Sequence, residues 1–263
     1  MRVIDSHCHL DDRQFDADRD AAIWRARAAG VEAMLAIGTG DGPPDLEAAI
    51  RLAESHECIY ATVGVHPHDA AKATEETFAR LAALGKHPKV LAVGEIGLDY
   101  HYDFSPRDVQ RAVFERQLAL ATAAGLPVVI HTREAWEDTI SILRANWGGE
   151  GIMHCFTGDA AQARQALDLG FHLAFGGVLT FPKAEAVREA ARITPSEKLL
   201  VETDCPYLAP APLRGKRNEP ALILETVRRL AQVRGCNPEE IAAATTANFE
   251  ALCLRPRRLA GKL

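Results

Sequence analysis

Short apolar segments alternate along the whole chain with longer amphipathic, alanine-rich segments. Several apolar segments carry the Val, Ile and Leu enrichment of strands buried on both faces, as in PVVIHT and KLLVETD. The segments between them follow helical patterns; in Asp108–Ala124, for example, apolar side chains alternate with Arg and Glu. The predicted strands are Val3–His9, Ala33–Gly38, Ile59–His66, Val90–Ile96, Pro127–His131, Gly151–Phe156, Phe171–Val178 and Leu199–Asp204.

Eight strands that alternate with helices in 263 residues predict an α/β protein, a (β/α)8 TIM-type barrel. An open doubly wound sheet is the competing fold, but no glycine-rich nucleotide-binding turn follows the first strand. We expect one domain over residues 1–263, with its core in about residues 1–254 and a basic C-terminal tail.

Net charge, the length of the apolar segments and the cysteine pattern argue against several classes of protein. The formal net charge of −6 argues against a broad basic surface for nucleic acid, so metal ions or a few Arg and Lys would have to hold a polyanionic substrate. No apolar segment is long enough to span a membrane, and no signal-peptide pattern is present. The six cysteines form no CxxC pair, which favours reduced thiols. We expect a cytoplasmic protein without a membrane partner or an obligate protein partner.

Ionisable residues recur at the carboxyl ends of the predicted strands, where a barrel of this type builds its site. A single histidine in an apolar segment is more often a satisfied core residue. Five histidines and two carboxylates at one end of a barrel, however, are costly to bury unless metal ions bind them. These residues are His7, His9, His66, Glu95, His131, His154 and Asp204.

Strand geometry explains the spacing of the first motif, IDSHCHL. Side chains alternate between the two faces of a strand, so Asp5, His7 and His9 share one face, from which the two histidines can bind one cation. Asp5 would hold an imidazole N–H and fix its tautomer. Glu202 has the same parity as Asp204 and is a second candidate for such a supporting role.

The ligand count exceeds what one four- or five-coordinate ion needs and favours two divalent ions that share a carboxylate. We assign His7, His9, Glu95 and Asp204 to one ion. Glu95, as the bridge, would join His131 and His154 at the other. Mixed imidazole and carboxylate ligands suit Zn²⁺ or Mn²⁺, and Mg²⁺ is compatible although it prefers oxygen.

Other polar residues near the strand ends are candidates for substrate binding. His66 would contact a phosphate or, alternatively, cap the turn at Pro67. Arg133 would clamp a phosphate or form a salt bridge with Glu134 or Glu137. The remaining candidates are Arg214 and Lys216 in a basic loop, and Tyr100 as a ring that stacks on a base or ribose.

Cysteine-based nucleophilic catalysis is the rival chemistry, because Cys8, Cys155 and Cys205 each adjoin a predicted ligand. Strand alternation points Cys8 and Cys155 away from the histidines, towards the helices. We therefore expect them to be small packing residues.

The sequence resembles the TatD family of metal-dependent hydrolases, within the amidohydrolase-like barrels. The matching segments extend over nearly the whole chain, and Cys205 stands where family members often carry Ser. The segments are IDSHCHL, GVHPH (Gly64–His68), GEIGLDYH (Gly94–His101), VIHTREA (Val129–Ala135), MHCFTG (Met153–Gly158), GGVLTFP (Gly176–Pro182), VETDCPYLAP (Val201–Pro210), RGKRNEP (Arg214–Pro220) and TANFEAL (Thr246–Leu252).

The resemblance implies a (β/α)8 barrel, a divalent-metal site built from the six ligands assigned above, and phosphodiester hydrolysis of DNA. Family members are described as deoxyribonucleases, some acting as 3′→5′ exonucleases, so single-stranded DNA or a DNA terminus is the expected partner. We expect a metal-activated water as nucleophile, with Glu95 bridging the ions and Asp204 acting as both ligand and base.

Two other functions stay open on the residues alone. A small-molecule amidohydrolase or lactonase, or an aminoacyl-tRNA deacylase, would use the same metal ligands. Many such barrels bridge their ions with a carboxylated lysine on the fourth strand, whereas the fourth segment here holds Glu95 and no Lys. A non-catalytic DNA-binding or scaffold protein, which would keep the barrel for packing alone, would not need the complete ligand set.

Overall fold

Eight parallel strands, hydrogen-bonded in chain order, form the barrel in the computed structural model, which describes residues 1–40, 42–259 and 261. Two backbone hydrogen bonds join the segment after the last strand to the end of the first: the Asp204 amide donates to the carbonyl of His7 (3.0 Å), and the His9 amide donates to the carbonyl of Cys205 (2.8 Å). The predicted fold is therefore confirmed. The strands are β1 (Val3–Cys8), β2 (Val31–Ala36), β3 (Ile59–Val63), β4 (Val90–Asp99), β5 (Val128–Arg133), β6 (Gly151–Met153), β7 (His172–Phe175) and β8 (Leu199–Val201).

Strand ends differ from the sequence prediction in a way that shapes the site. β4 continues to Asp99, beyond the predicted end at Ile96, because its ladder with β5 extends to the pair Asp99 and Arg133. Strands β3, β6 and β8 instead end before His66, His154 and Asp204. Those three side chains therefore lie on loops rather than on strands.

Helices pack around the outside of the barrel and follow the strands in sequence. α4 confirms the predicted helical pattern: it begins after Pro106, has Asp108 in its first turn and ends at Gly125, whose φ of 62° is left-handed. The helices are α1 (Arg19–Ala28), α2 (Ala48–Ser55), α3 (Glu75–Leu84), α4 (Arg107–Ala124), α5 (Trp136–Asn146), α6 (Ala160–Asp168), α7 (Glu185–Ile193), α8 (Ile223–Arg234), α9 (Pro238–Phe249) and α10 (Arg255–Leu259).

The core has two parts. One part fills the space between the strands and the surrounding helices. The other fills the barrel interior with side chains such as Leu35 and Val129, and it includes Phe249, Leu252 and Leu254 from the C-terminal helical segment. This segment therefore closes the end of the barrel opposite the site.

The C-terminal region is ordered beyond the predicted core boundary near residue 254. A π-helical segment, Glu250–Leu254, joins α9 to α10. Arg257 is buried and donates to the carbonyl of His87 at 2.5 Å. Part of the predicted tail lies outside the described residues. Within the described ranges, no helix combines the length and apolar character needed to cross a bilayer.

Candidate metal centre

The carboxylate of Glu95 lies at the centre of the histidine cluster, and its two oxygens face different imidazoles. Oε1 is 2.7 Å from His131 Nδ1 and 2.8 Å from His154 Nε2. Oε2 is 3.5 Å from His7 Nε2 and 3.8 Å from His9 Nε2. One buried carboxylate thus separates two pairs of nitrogen donors, which is the geometry that a bridging ligand requires.

Asp204 lies beside the first of these pairs. Its Oδ1 is 3.6 Å from His7 Nε2 and 3.4 Å from His9 Nε2, and the two nitrogens are 3.2 Å apart. The structure therefore brings together all six residues that the sequence predicts as metal ligands, although they come from β1 and the residue after it, from β4 and β5, and from the loops after β6 and β8.

Three groups of residues place potential metal-donor atoms within 4.8 Å of one another, and these groups differ in part from the predicted assignment of ligands to two ions. One set, His7, His9 and Glu95, belongs to the predicted first ion. A second joins His66 to Glu95 and His131, because His66 Nε2 is 3.7 Å from Glu95 Oε1. A third set consists of His7, His154 and Glu202. His66 and Glu202 are therefore additional potential donors.

The contacts of His131 test whether a cation fits this cluster. An ionised carboxylate only accepts hydrogen bonds, so the 3.0 Å contact to Asp99 assigns the proton to His131 Nε2. Nδ1 then faces Glu95 Oε1 at 2.7 Å, and two acceptors at this distance need a proton or a metal ion between them. Burial acts to lower the pKa of His131, but the hydrogen bonds to Asp99 and Glu95 outweigh it and raise that pKa.

The charge balance of the cluster also fits divalent cations. In the described part of the chain, the ion pairs of Glu95 and Asp204 involve histidines alone. Burial acts to raise the pKa of Glu95, but His154, His66 and His131 hold it well below its usual value, so the carboxylate is ionised. Imidazoles and ionised carboxylates without Lys or Arg are the donor set of Zn²⁺ and Mn²⁺ sites.

The two predicted supporting carboxylates have different roles. Glu202 is fully buried, accepts from the Cys155 amide at 2.7 Å and lies 3.4 Å from His154 Nδ1. This agrees with a role in orienting His154, and burial raises the pKa of Glu202 to about 7.

Asp5 does not bind an imidazole, so the predicted partner of its carboxylate is wrong. The carboxylate accepts from the amide and the hydroxyl of Thr203 (3.0 and 2.6 Å) and from the amide of His7 (3.2 Å). β1 and the segment after β8 are adjacent in the barrel, which places Thr203 within reach. Asp5 therefore fixes the closure of the barrel behind His7.

Asp99 and His68 contact the cluster, and the sequence interpretation missed both. Asp99 Oδ2 accepts from His131 Nε2 and lies 3.0 Å from His68 Nε2. The interpretation ended the fourth strand at Ile96 and so overlooked Asp99. The signal was available, since Glu95 and Asp99 share one parity along β4.

The predicted substrate contacts of His66 and Arg133 stay predictions, but the structure identifies their protein partners. His66 Nδ1 accepts from the His68 amide at 3.2 Å, so its ring does cap the turn at Pro67. The Arg133 guanidinium lies 4.7 Å from the ring centre of Tyr102.

The neighbouring aromatic and basic candidates are also engaged with protein groups. The Tyr100 hydroxyl donates to Asp138 at 2.6 Å, and Arg107 lies over the Tyr100 ring. Arg214 and Lys216 are exposed in the loop after β8, and the Arg214 guanidinium lies 4.5 Å from the ring centre of Phe181. Their contacts with substrate stay predictions.

Cys155 does not point towards the helices as strand alternation predicted. β6 ends at Met153, and Cys155 has a left-handed φ of 42°, so the alternation does not extend to it. Together with Tyr100, Arg133 and Trp136 it lines a cavity of about 540 Å³ beside His154. Burial raises the pKa of its thiol well above the usual value, which argues against a thiolate nucleophile.

Backbone strain is concentrated at the same end of the barrel. Left-handed backbone at a residue other than glycine carries a conformational cost and often accompanies functional sites. In the described part of the chain, every such residue lies in a loop that follows a strand. They are Asp103 (φ 51°), Glu134 (54°), Cys155 (42°), Asp204 (56°) and Leu208 (52°).

Comparison with known proteins gives consistent matches over nearly the whole chain. The family model described as TatD related DNase matches residues 4–253. The chain is 44% identical over 253 residues to an uncharacterized metal-dependent hydrolase, YabD, of Bacillus subtilis strain 168, covering 95% of this chain and 98% of YabD. It is 37% identical over 258 residues to the 3′-5′ ssDNA/RNA exonuclease TatD of Citrobacter koseri, covering 95% and 98%. The crystal structure of YJJV, a TatD homologue from Escherichia coli K12, superposes with a TM-score of 0.90 at 32% identity, covering 96% and 98%.

Proposed function

This chain belongs to the TatD family of metal-dependent hydrolases, and from that premise we propose that it removes nucleotides from the end of single-stranded DNA as an exonuclease. The similarity to a relative named as a 3′-5′ ssDNA/RNA exonuclease supports a nucleic-acid substrate. The observation that carries the proposal is the position of Glu95, whose two oxygens face separate pairs of imidazoles. This arrangement suits two divalent ions acting on one phosphodiester.

In this proposal the metal ions would be held by the six converging residues, His7, His9, Glu95, His131, His154 and Asp204. Divalent cations in such a cage polarise a phosphate oxygen and bring the pKa of a bound water towards neutrality. Asp204 accepts the proton of the attacking water. Burial acts to raise the pKa of Asp204, but its contacts with His9, His154 and His7 hold it below the usual value, so the carboxylate is ionised and able to accept.

Substrate binding at this site has to be local because the protein carries a net charge of −6. His66, whose Nε2 is 3.7 Å from Glu95 Oε1, and Arg133 are the groups that we propose to contact phosphate. A footprint of a few nucleotides at a strand end agrees with this limited set of cations.

The test is hydrolysis of end-labelled single-stranded DNA by metal-free protein reconstituted with Mg²⁺, Mn²⁺ or Zn²⁺. We expect stepwise release of nucleotides that requires added metal and is lost in Glu95→Ala and His131→Ala. Glu75→Ala is the matched control, because it removes a carboxylate from an exposed ion pair with Arg116. Full nuclease activity in Glu95→Ala with an unchanged melting temperature would refute the proposal.

An amidohydrolase, lactonase or aminoacyl-tRNA deacylase using the same ions is the alternative. Many amidohydrolase-like barrels bridge their ions with a carboxylated lysine on the fourth strand. In this chain β4 contains no Lys, and Glu95 holds the bridging position. Parallel assays on a lactone and cyclic-amide panel and on aminoacyl-tRNA separate these functions from nuclease activity.

A further inference from the structure

Large apolar side chains are exposed at the same end of the barrel as the candidate metal centre. Four of the seven exposed large hydrophobic residues in the described part of the chain lie in the loops after β4 and β8: Tyr102, Phe104, Tyr207 and Leu208. The Phe104 side chain has no polar atom, yet the residue is 67% exposed. An exposed ring of this kind favours a partner that is itself apolar or aromatic.

Tyr102 and Phe104 form one surface, which we call the aromatic platform. Their rings stack with centroids 5.3 Å apart and planes 20° from parallel. His68 contacts both rings edge-on, at 5.3 and 4.9 Å, and its own ring is 4.2 Å from that of His66. Two ring contacts therefore connect the platform to the imidazole that faces Glu95.

The loop that presents the platform is fixed by buried and partly buried hydrogen bonds. Asp99 Oδ1 accepts from the Tyr102 amide at 2.9 Å. The Gln110 amide group donates to the carbonyls of Asp99 (3.0 Å) and Ser105 (2.8 Å), and the Ser105 hydroxyl accepts from the Ala71 amide at 3.0 Å. An aromatic surface held in place before binding costs little conformational entropy to use.

A cation accompanies the platform. The guanidinium of Arg133, at the end of β5, lies 4.7 Å from the ring centre of Tyr102. Arginine pairs with phosphate oxygens through two parallel hydrogen bonds, and unpaired bases stack on aromatic rings. A ring for the base and a guanidinium for the phosphate are the two groups that recognise one nucleotide.

We propose that the aromatic platform binds the base of a nucleotide next to the scissile phosphate, with the base on Phe104 and Arg133 on a neighbouring phosphate. This proposal rests on the nuclease function proposed above and specifies how that site selects its substrate. Every base has a π-face, so the platform selects for an unpaired strand and not for a sequence. A base within a duplex is already stacked on its neighbours and would first have to leave the stack, at a cost of free energy.

The experiment measures kcat and KM for the wild type, Phe104→Ala and Phe104→Trp on single-stranded DNA. A matched series of strands carries one abasic residue at each of the terminal four positions in turn. We expect Phe104→Ala to raise KM by about 5- to 100-fold with little change in kcat, because stacking holds substrate and transition state alike. Phe104→Trp keeps the wild-type KM. On one strand of the abasic series, the penalty of Phe104→Ala disappears because the stacking partner is missing.

A second measurement does not depend on turnover. The inactive variant Glu95→Ala, with or without Phe104→Ala, is titrated into a strand that carries 2-aminopurine at the position identified by the abasic series. Stacking on Phe104 quenches the fluorescence of 2-aminopurine.

The control for the KM measurement is Trp24→Ala, which removes another exposed aromatic ring, from α1, and keeps the wild-type KM.

Equal KM values for the wild type and Phe104→Ala, a penalty that persists on every abasic strand, or equal quenching with and without Phe104 would overturn the platform. Absence of cleavage by the metal-loaded wild type would instead overturn the proposed function, while the quenching still reports on the platform.

Discussion

Asp99→Asn tests the inference that this carboxylate fixes the tautomer of His131. In the wild type, Asp99 Oδ2 accepts the Nε2 proton of His131, so Nδ1, which faces Glu95, is the nitrogen available to a metal ion. Asparagine keeps one oxygen for the amides of His101 and Tyr102, which bind Oδ1 at 3.0 and 2.9 Å. The substitution presents an NH₂ donor to His131, which moves the proton to Nδ1 and removes the lone pair that a metal ion would use.

The expected loss is about 10- to 100-fold in metal affinity or activity, the usual effect of changing a group that orients a metal ligand. That corresponds to about 1.4–2.7 kcal/mol of binding free energy. Metal affinity is measured by competition with a chromophoric chelator, alongside kcat on an oligonucleotide. Glu75→Gln, which also removes one negative charge, should change neither value. Wild-type metal affinity and kcat in Asp99→Asn would refute the tautomer argument.

Three further predictions concern stability. Chelation with EDTA should lower the melting temperature as well as abolish hydrolysis, because ions that bind only the folded state stabilise it; an unchanged melting temperature would count against bound metal. Burial lowers the pKa of His172 to about 4, so the unfolded chain binds a proton at higher pH than the folded one. The contribution of His172 to folding stability should therefore fall by about 3 kcal/mol between pH 6.5 and 4, so the wild type should lose more stability over this range than His172→Leu does in urea unfolding. In Gly97→Ala, the new Cβ would lie 2.0 Å from the carbonyl oxygen of His131 at a φ of 141°, so we expect a loss of more than about 3 kcal/mol, and a wild-type unfolding midpoint would contradict the packing between β4 and β5.

Much of the site was predictable because the relevant information is local in the chain. The period-2 pattern of IDSHCHL places His7 and His9 on one face of a strand without knowledge of any neighbour. Polar residues at the ends of successive apolar segments share one end of any parallel barrel, which groups Glu95 and Asp204 with them. The resemblance to a known family agreed with this reasoning.

Other features depend on contacts between residues far apart in sequence. Asp5 binds Thr203, 198 positions away, and this choice of partner follows from the closure of β8 onto β1. The predicted end of β4 was wrong because the length of this strand depends on how far β5 continues to pair with it. Since the predicted strand stopped before Asp99, that residue was missed as well.

The sequence by itself determined the number and order of the strands and the types of side chain gathered at one end of the barrel, because side-chain periodicity and strand direction are local properties of the chain. Only the tertiary structure decided which oxygen of Glu95 faces which imidazole, that Cys155 lines a cavity and that Tyr102 stacks on Phe104. Each of these depends on loop dihedral angles and on the approach of neighbouring strands. Long-range packing sets both, and a linear pattern does not encode them.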